Sequence, residues 1–299
     1  MSETVGFIGL GVMGRPMAKH ILDKGYTVVV HNRSRRAVDE LVAAGAVAAT
    51  SPADVARQSR IVITMVPDTP DVEAVLAGPD GVLDALVAGT VVIDMSSISP
   101  EATRRLAGMV AAKGGVMLDA PVSGGEIGAV NGTLSIMVGG PADALLRVRP
   151  ILECMGNPER IVHVGPEPGS GQVCKVCNQI AIGGALAGVS EAFAVARKAG
   201  VDPARVREAL LGGFAASRVL EVHGERMLKR NYVPGFRARL YQKDLRLANE
   251  TAAVNGVAIP ATAVVTQLLN ALVAAGGADL DYSALSTVLF DLARLEDTP

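Results

Sequence analysis

The chain has 299 residues, with 28 Lys plus Arg against 30 Asp plus Glu and a formal net charge of −2. Only 19% of residues are charged and 49% are hydrophobic, which excludes a disordered, charge-rich chain. The charge balance leaves no basic footprint for nucleic acid, and the length suits one large or two medium domains. Trp is absent and aromatics make up 3%, so the core falls to Ala, Val, Leu, Ile and Met. Three cysteines form no disulfide framework, and the expectation is a reduced, cytoplasmic protein. Residues 1–10 lack the basic start of a secretory signal.

The first half alternates apolar runs with helical patterns. Strands are predicted at Val5–Gly9, Thr27–His31, Ile61–Val66, Val91–Asp94, Val116–Asp119, Ser135–Val138 and Ile161–Val164. Helices are predicted at Met13–Asp23 and Arg35–Ala44. Continuous β-branched runs between helices imply strands buried on both faces of a mainly parallel sheet. Gly165-Pro-Glu-Pro-Gly-Ser-Gly171 is a breaker-rich joint. Beyond it one helix is expected from about Gln172 to Lys198, roughly 40 Å long. More helices follow near 203–211, 217–229, 240–255, 260–275 and 283–294, the first opened by Asp202-Pro203. Thr251 to Ala278 carries no charge, but Thr262, Thr266 and Asn270 form a polar stripe at four-residue spacing. A buried or subunit-facing helix accounts for that better than a membrane span. The expected fold class is an α/β Rossmann-type dinucleotide-binding domain (residues 1–164) and an all-α domain for substrate and oligomerisation (165–299), joined by a long interdomain helix.

Gly9-Leu10-Gly11-Val12-Met13-Gly14 follows the first strand and opens the first helix with G-x-G-x-x-G spacing. Gly9 permits the tight turn, Gly11 lets the backbone approach a pyrophosphate, and Gly14 allows close helix–strand packing. Without a ligand the same loop would be only a glycine-rich turn; the strand–turn–helix context argues for the dinucleotide. The second strand ends in His31-Asn32-Arg33-Ser34-Arg35-Arg36, with no acid to receive a ribose 2′-hydroxyl. Arg33 suits a 2′-phosphate, so NADP(H) is favoured, with NAD(H) held through Asn32 as the alternative.

Four blocks give the chain a family resemblance. They are Phe7-Ile-Gly-Leu-Gly-Val-Met-Gly-Arg-Pro-Met-Ala18, Asp119-Ala-Pro-Val-Ser-Gly-Gly125, Gly171-Gln-Val-Cys-Lys-Val-Cys-Asn178 and Tyr241-Gln-Lys-Asp-Leu245. In this order they resemble the β-hydroxyacid dehydrogenases, the family of 3-hydroxyisobutyrate dehydrogenase and of several semialdehyde reductases. Ile93-Asp-Met-Ser-Ser-Ile98, Pro121-Val-Ser-Gly-Gly-Glu126, Gly132-Thr-Leu-Ser-Ile-Met-Val-Gly-Gly140 and Pro234-Gly-Phe-Arg237 are similar to its tartronate semialdehyde (2-hydroxy-3-oxopropionate) reductase branch.

Hydride transfer to a carbonyl carbon leaves negative charge on oxygen, which needs stabilising and protonating. Lys175 has the mobile charge for both, and Asn178 lies on the same helix face. By composition alone Lys175 is an ordinary solvated lysine; its apolar neighbours and the resemblance make it the catalytic one. Ser123, Gly124 and Gly125 offer a hydroxyl and backbone N–H groups to a substrate carboxylate, against the plainer reading of a helix-capping loop. Met65, Val66 and Pro67 end the third strand on the expected cofactor edge. The resemblance places Ser97 against the cofactor and Lys243 near both nicotinamide and substrate, with Asp244 fixing it. By spacing alone, Lys243 and Asp244 would be a surface salt bridge of little worth.

Cys174-x-x-Cys177 lacks a matching second pair, so both read as small buried thiols, and no metal is expected. The favoured activity is reduction of tartronate semialdehyde to glycerate. Oxidation of 3-hydroxyisobutyrate and reduction of glyoxylate or succinic semialdehyde are the enzyme alternatives. A non-catalytic NADP-binding protein is the alternative of another class. The partner is a small carboxylate-bearing aldehyde or hydroxy acid, with no nucleic acid and no membrane. The resemblance also implies a homodimer or homotetramer. Phe214, Arg218 and Phe236 are candidates for tuning the pocket.

Overall fold

The computed structural model describes residues 3–295, and the chain divides into two compact units between Lys175 and Val176. In the first unit β1 (Thr4–Ile8), α1 (Gly14–Asp23), β2 (Thr27–His31), α2 (Arg35–Ala43), β3 (Val47–Ala48) and α3 (Pro52–Gln58) come first. They are followed by β4 (Ile61–Thr64), α4 (Thr69–Ala77), α5 (Val82–Ala85), β5 (Val91–Asp94), α6 (Pro100–Ala112) and β6 (Val116–Asp119). The unit continues with β7 (Val122–Ser123), α7 (Gly125–Asn131), β8 (Leu134–Gly139), α8 (Ala142–Met155) and β9 (Gly156–Gly165).

Strands run in the order β3-β2-β1-β4-β5-β6 and are parallel throughout, the doubly wound arrangement. β8 is antiparallel to β6 and to β7, and β9 runs parallel to β8. Alternation along each strand explains the unbroken apolar runs. Val5, Phe7, Ile61, Ile63, Val91, Ile93 and Leu118 feed the core on one face of the sheet. Ile8, Val62, Val92 and Met117 feed the core on the other. Gly6 makes room for α3: a Cβ there would lie 2.3 Å from Val55 Cγ1.

Three features depart from the sequence reading. The run Ile161–Val164 belongs to β9, a ten-residue strand whose Val162 and Val164 are exposed rather than buried on both faces. Among the described residues β9 is an edge strand with β8 as its one neighbour in the sheet, and the face that carries Val162 and Val164 is open to solvent. β3 and β7 have two residues each, too short for any periodicity to announce them. α3 is polar at its ends and is recognisable by its cap, Ser51 accepting the Asp54 N–H ahead of Pro52.

α9 (Ser170–Lys198) begins before the division and continues past it. The second unit adds α10 (Pro203–Leu211), α11 (Arg218–Leu228), α12 (Ala238–Val254), α13 (Pro260–Ala274) and α14 (Leu285–Leu292), with 3-10 turns at Gly277–Asp279 and Tyr282–Ala284. α9 has the length and composition to cross a bilayer, yet Leu186 and Phe193 are core residues of the second unit and Gln179 and Ser190 are buried polar ones. A core helix passes the same test. The charge-free stretch is broken between α12 and α13, and its polar stripe is used inside the unit. Asn249 donates to Thr266 and Gln242 to Asn270, joining α12 to α13.

Candidate active site

In the first unit the residues singled out by sequence gather at the carboxyl edge of the parallel strands. Backbone bonds from Gly9 to His31, Met65 to Ile8, Met95 to Thr64 and Ala120 to Asp94 continue the ladder beyond β1, β4, β5 and β6. Gly9 has φ +98°, and a Cβ on it would stand 2.3 Å from the Met65 carbonyl oxygen. On Gly14 a Cβ would stand 1.9 Å from the Gly9 oxygen. These two glycines are therefore demanded by the protein itself. Gly11 is different: a Cβ there meets nothing within 4 Å. The packing of this chain does not explain that glycine, whereas close approach of a pyrophosphate does. α1 starts at Gly14 with no side chain capping its first turn, which leaves N–H donors for a phosphate. The loop thus fits a dinucleotide.

Asn32 is tied to this loop. Its Oδ1 accepts the Leu10 N–H at 3.0 Å and its Nδ2 donates to the Ser34 hydroxyl. Arg33 is exposed at the end of β2, while Arg35 and Arg36 pair with Asp39 and Glu40 on α2. Val12 is exposed and Met13 half-buried. Met65 and Val66 are half-buried and Pro67 is exposed; the Val66 N–H donates to Ser96 Oγ at 3.0 Å. Ser97 is half-buried just beyond β5.

Ser123 ends β7, and Gly124 and Gly125 follow with φ +138° and +60°, conformations that favour glycine. α7 has only seven residues, so an anion at this turn would meet the Ser123 hydroxyl and loop N–H groups rather than a helix dipole. Lys175 is half-buried, and its Nζ donates to the Val122 carbonyl at 2.9 Å. The ammonium is thereby held beside Ser123, at the substrate loop that the resemblance implies.

Two buried acids pair across neighbouring strands here, Asp94 on β5 and Asp119 on β6. Burial pushes the Asp94 carboxyl up to about 6, against hydrogen bonds from Ser96 and Thr64, with Asp119 adding repulsion. Asp94 Oδ1 takes the Thr64 hydroxyl at 2.8 Å and the Ser96 N–H, while its buried Oδ2 has no hydrogen-bond partner. Burial also raises Asp119, opposed by N–H bonds from Gly169, Gln172 and Gly171.

Asn178 and Lys243 belong to the second unit. Asn178 Nδ2 donates to Gln179 Oε1 at 2.9 Å, and Gln179 Nε2 donates in turn to Asp244 Oδ2. Lys243 Nζ stands 2.9 Å from Asp244 Oδ1, the two side chains only 12% and 4% exposed. Such a pair is more than the surface salt bridge that spacing allows, because little water screens it. The Tyr241 hydroxyl donates to the Gln179 carbonyl at 2.8 Å, packed over Gly183, where a Cβ would stand 2.7 Å from it. Gln179 thus links Asn178 to Lys243 through Asp244. Phe236 joins an aromatic cluster with Tyr241 and Tyr282. Phe214 is fully exposed, and Arg218 is paired with Glu221.

Sequence reasoning missed Gln172, Gln179, Asp94 and the positional part of Asp119. A signal for the glutamines existed: Gln172, Lys175 and Gln179 stand at i, i+3 and i+7, a polar stripe on an otherwise apolar helix. The thiol expectation needs correcting. Cys154 is buried, but Cys174 is half-buried and Cys177 exposed, so the face of α9 that carries both, three residues apart, is only partly covered. Among the described residues no three His, Cys, Asp or Glu side chains come together as metal ligands.

Known proteins match the chain over nearly its whole length. Residues 4–165 match the family model of the NAD-binding domain of 6-phosphogluconate dehydrogenase. Residues 169–289 match that of the NAD-binding region of NADP-dependent 3-hydroxyisobutyrate dehydrogenase. The chain is 50% identical over 285 residues to a 2-hydroxy-3-oxopropionate reductase of Escherichia coli, covering 95% of this chain and 96% of that one. It is 39% identical to a 3-hydroxyisobutyrate dehydrogenase of Pseudomonas aeruginosa, covering 94% and 96%. Among solved structures, a Mycobacterium tuberculosis 3-hydroxyisobutyrate dehydrogenase with L-serine superimposes with TM-score 0.89 at 32% identity, covering 97% and 99%.

Proposed function

The chain belongs to the 3-hydroxyisobutyrate dehydrogenase-like family of NAD(P)-dependent β-hydroxyacid dehydrogenases, and from that premise we propose that it reduces tartronate semialdehyde to glycerate with NADPH. The observation that carries the reading is the Lys175 ammonium held on the Val122 carbonyl, next to Ser123. The 50% identity to a 2-hydroxy-3-oxopropionate reductase supports the substrate. Residues 1–164 carry the cofactor, and residues 165–299 serve substrate binding and association.

Bound nicotinamide would supply the hydride. Gly9, Leu10, Gly11, Val12, Met13 and Gly14 hold the pyrophosphate, and Asn32 and Arg33 take the adenosine ribose with its 2′-phosphate. Met65, Val66, Pro67 and Ser97 line the cofactor edge. Ser123, Gly124 and Gly125 hold the substrate carboxylate. Lys175 stabilises the oxyanion and gives it a proton, exchanging its Val122 acceptor for the substrate oxygen. Asn178 orients the substrate hydroxyl, and Lys243, fixed by Asp244, adds a second positive charge.

Replacing Lys175 by Ala should lower turnover by about 10²–10⁴-fold while NADPH binding, followed by fluorescence titration, persists. Unchanged turnover would remove the proposed role. Arg33→Ala should raise KM for NADPH at least about tenfold and leave KM for NADH nearly unchanged, the weight of a lost charge-assisted contact. Equal losses would return the choice to NADH held through Asn32. Rates over a panel of semialdehydes separate tartronate semialdehyde from 3-hydroxyisobutyrate chemistry and from glyoxylate or succinic semialdehyde.

Two further parts of the proposal are a cytoplasmic location and a homodimer or homotetramer. Three free cysteines fit a reducing compartment. Exposed Val195, Val254, Val257 and Val264 of the second unit fit subunit contacts, and light scattering would test the assembly.

A further inference from the structure

The geometry assigns to Asp119 and Gln172 a task beyond the reaction just proposed: they are positioning residues that fix where the Lys175 ammonium stands. The inference rests on the reading of Lys175 as the proton donor. Asp119 is the last residue of β6. Its Oδ1 accepts the Gly169 N–H at 2.7 Å and its Oδ2 accepts the Gln172 N–H at 2.8 Å. A carboxylate some fifty residues away in sequence therefore holds the first turn of α9, where its charge also complements the helix dipole. Two glycines make way for it. A Cβ on Gly139 would lie 2.6 Å from Asp119 Oδ1, and one on Gly171 2.9 Å from Oδ2.

Gln172 adds a second tether. Its side chain is buried, with Oε1 accepting the Ile98 N–H at 3.2 Å and Nε2 donating to the Ser96 carbonyl at 2.8 Å. The segment leaving β5, which carries Ser97, is thereby joined to the same turn of α9. Lys175 follows three residues later and reaches Val122, which itself lies three residues beyond Asp119. One short segment, residues 119–122, thus holds both the start of α9 and the tip of its lysine. Sliding α9 by one residue would move Lys175 about 1.5 Å along the axis and about 100° round it. Neither displacement is open while Asp119 and Gln172 keep their bonds. Neither side chain needs to touch substrate to act in this way.

The test uses the full chain with NADPH and tartronate semialdehyde. Gln172→Met, Asp119→Asn and Lys175→Ala are compared with the parent, each rate divided by the number of NADPH sites titrated, so that unfolded protein is not counted. Gln172→Met keeps the side-chain length and removes both side-chain hydrogen bonds of Gln172; kcat should fall about 10- to 100-fold, the cost of a misplacement near 1 Å, with KM for NADPH within about twofold. The alkaline limb of the kcat/KM profile, which reports the free enzyme, should move to lower pH, because a lysine displaced from the Val122 carbonyl loses a bond that favours its charged form. Asp119→Asn should do the same more strongly; if it fails to fold, Gln172→Met decides. A site-normalised kcat and alkaline limb equal to the parent's in Gln172→Met, with Lys175→Ala inactive, would overturn the positioning role and leave the lysine assignment standing. An active Lys175→Ala would overturn both.

Discussion

The two units set the residues singled out by sequence with different materials. The first works mainly through backbone: glycines at Gly9, Gly11 and Gly14, loop N–H groups, and the Val122 carbonyl that receives Lys175. The second works through side chains joined over long stretches of sequence, Asn178 to Gln179 to Asp244 to Lys243, with Tyr241 over the Gln179 carbonyl. Backbone devices leave a local signature, a glycine at a fixed spacing. Side-chain networks leave at most a polar stripe such as Gln172, Lys175 and Gln179, since which residues become partners is decided only when the fold brings them together.

The sharpest way to break this comparison lies inside the glycine loop. Gly14→Ala should cost about 3 kcal/mol of stability and most NADPH binding, because its Cβ would strike the Gly9 carbonyl oxygen. Gly11→Ala should melt like the parent yet bind NADPH at least about tenfold more weakly, its Cβ meeting ligand and not protein. Thermal unfolding with cofactor titration separates the two. Equal behaviour would mean that Gly11 does not face a dinucleotide.

A buried carboxylate in each unit gives the next contrast, with opposite dependence on pH. Asp281 in the second unit accepts the N–H groups of Gly235 and Phe236 and the Ser283 hydroxyl, with Arg226 at 3.5 Å. Burial alone would raise it, but the nearby His223 ring and bonds from Ser283 and Phe236 together pull it down to about 2 from 3.8. Its stabilisation is therefore complete above about pH 4 and is lost as pH falls through about 2. Asp281→Ala should cost about 3 kcal/mol at neutral pH, since Arg226 loses its buried partner. Denaturant titrations at several pH values measure both effects.

Asp94 in the first unit has the reverse sign and the smaller effect. Its carboxyl is raised from 3.8 to about 6, so its contribution is complete below about pH 4 and is lost as pH rises through 6. Against Asp94→Asn, the parent should lose on the order of 2 kcal/mol between pH 4 and pH 7. A constant difference across that range would show that Asp94 stays ionised in the folded chain.

The same contrast explains what could be read before folding. β2, β5 and β6 fall where their β-branched runs lie, at Thr27–His31, Val91–Asp94 and Val116–Asp119. The helices of the second half follow their caps and periodicity, α10 starting at Pro203 after Asp202. β3 and β7 escaped because two residues carry no period. Gln172 and Asp119 escaped because their partners, Ser96, Ile98 and Gly169, stand 50 to 76 residues away. Propensity and spacing are local quantities; a buried tether across that distance is a product of topology.

The placement of the rings has a practical consequence for spectroscopy. The chain has no Trp and four Tyr, and Tyr232, Tyr241 and Tyr282 all lie in the second unit, leaving Tyr26 alone in the first. Near-ultraviolet dichroism and phenol emission will therefore report mainly on the helical unit, while the glow of reduced nicotinamide, undisturbed by any indole, will report on the bound cofactor. One sample carries two optical windows, and a denaturation followed through both will show whether the halves melt together.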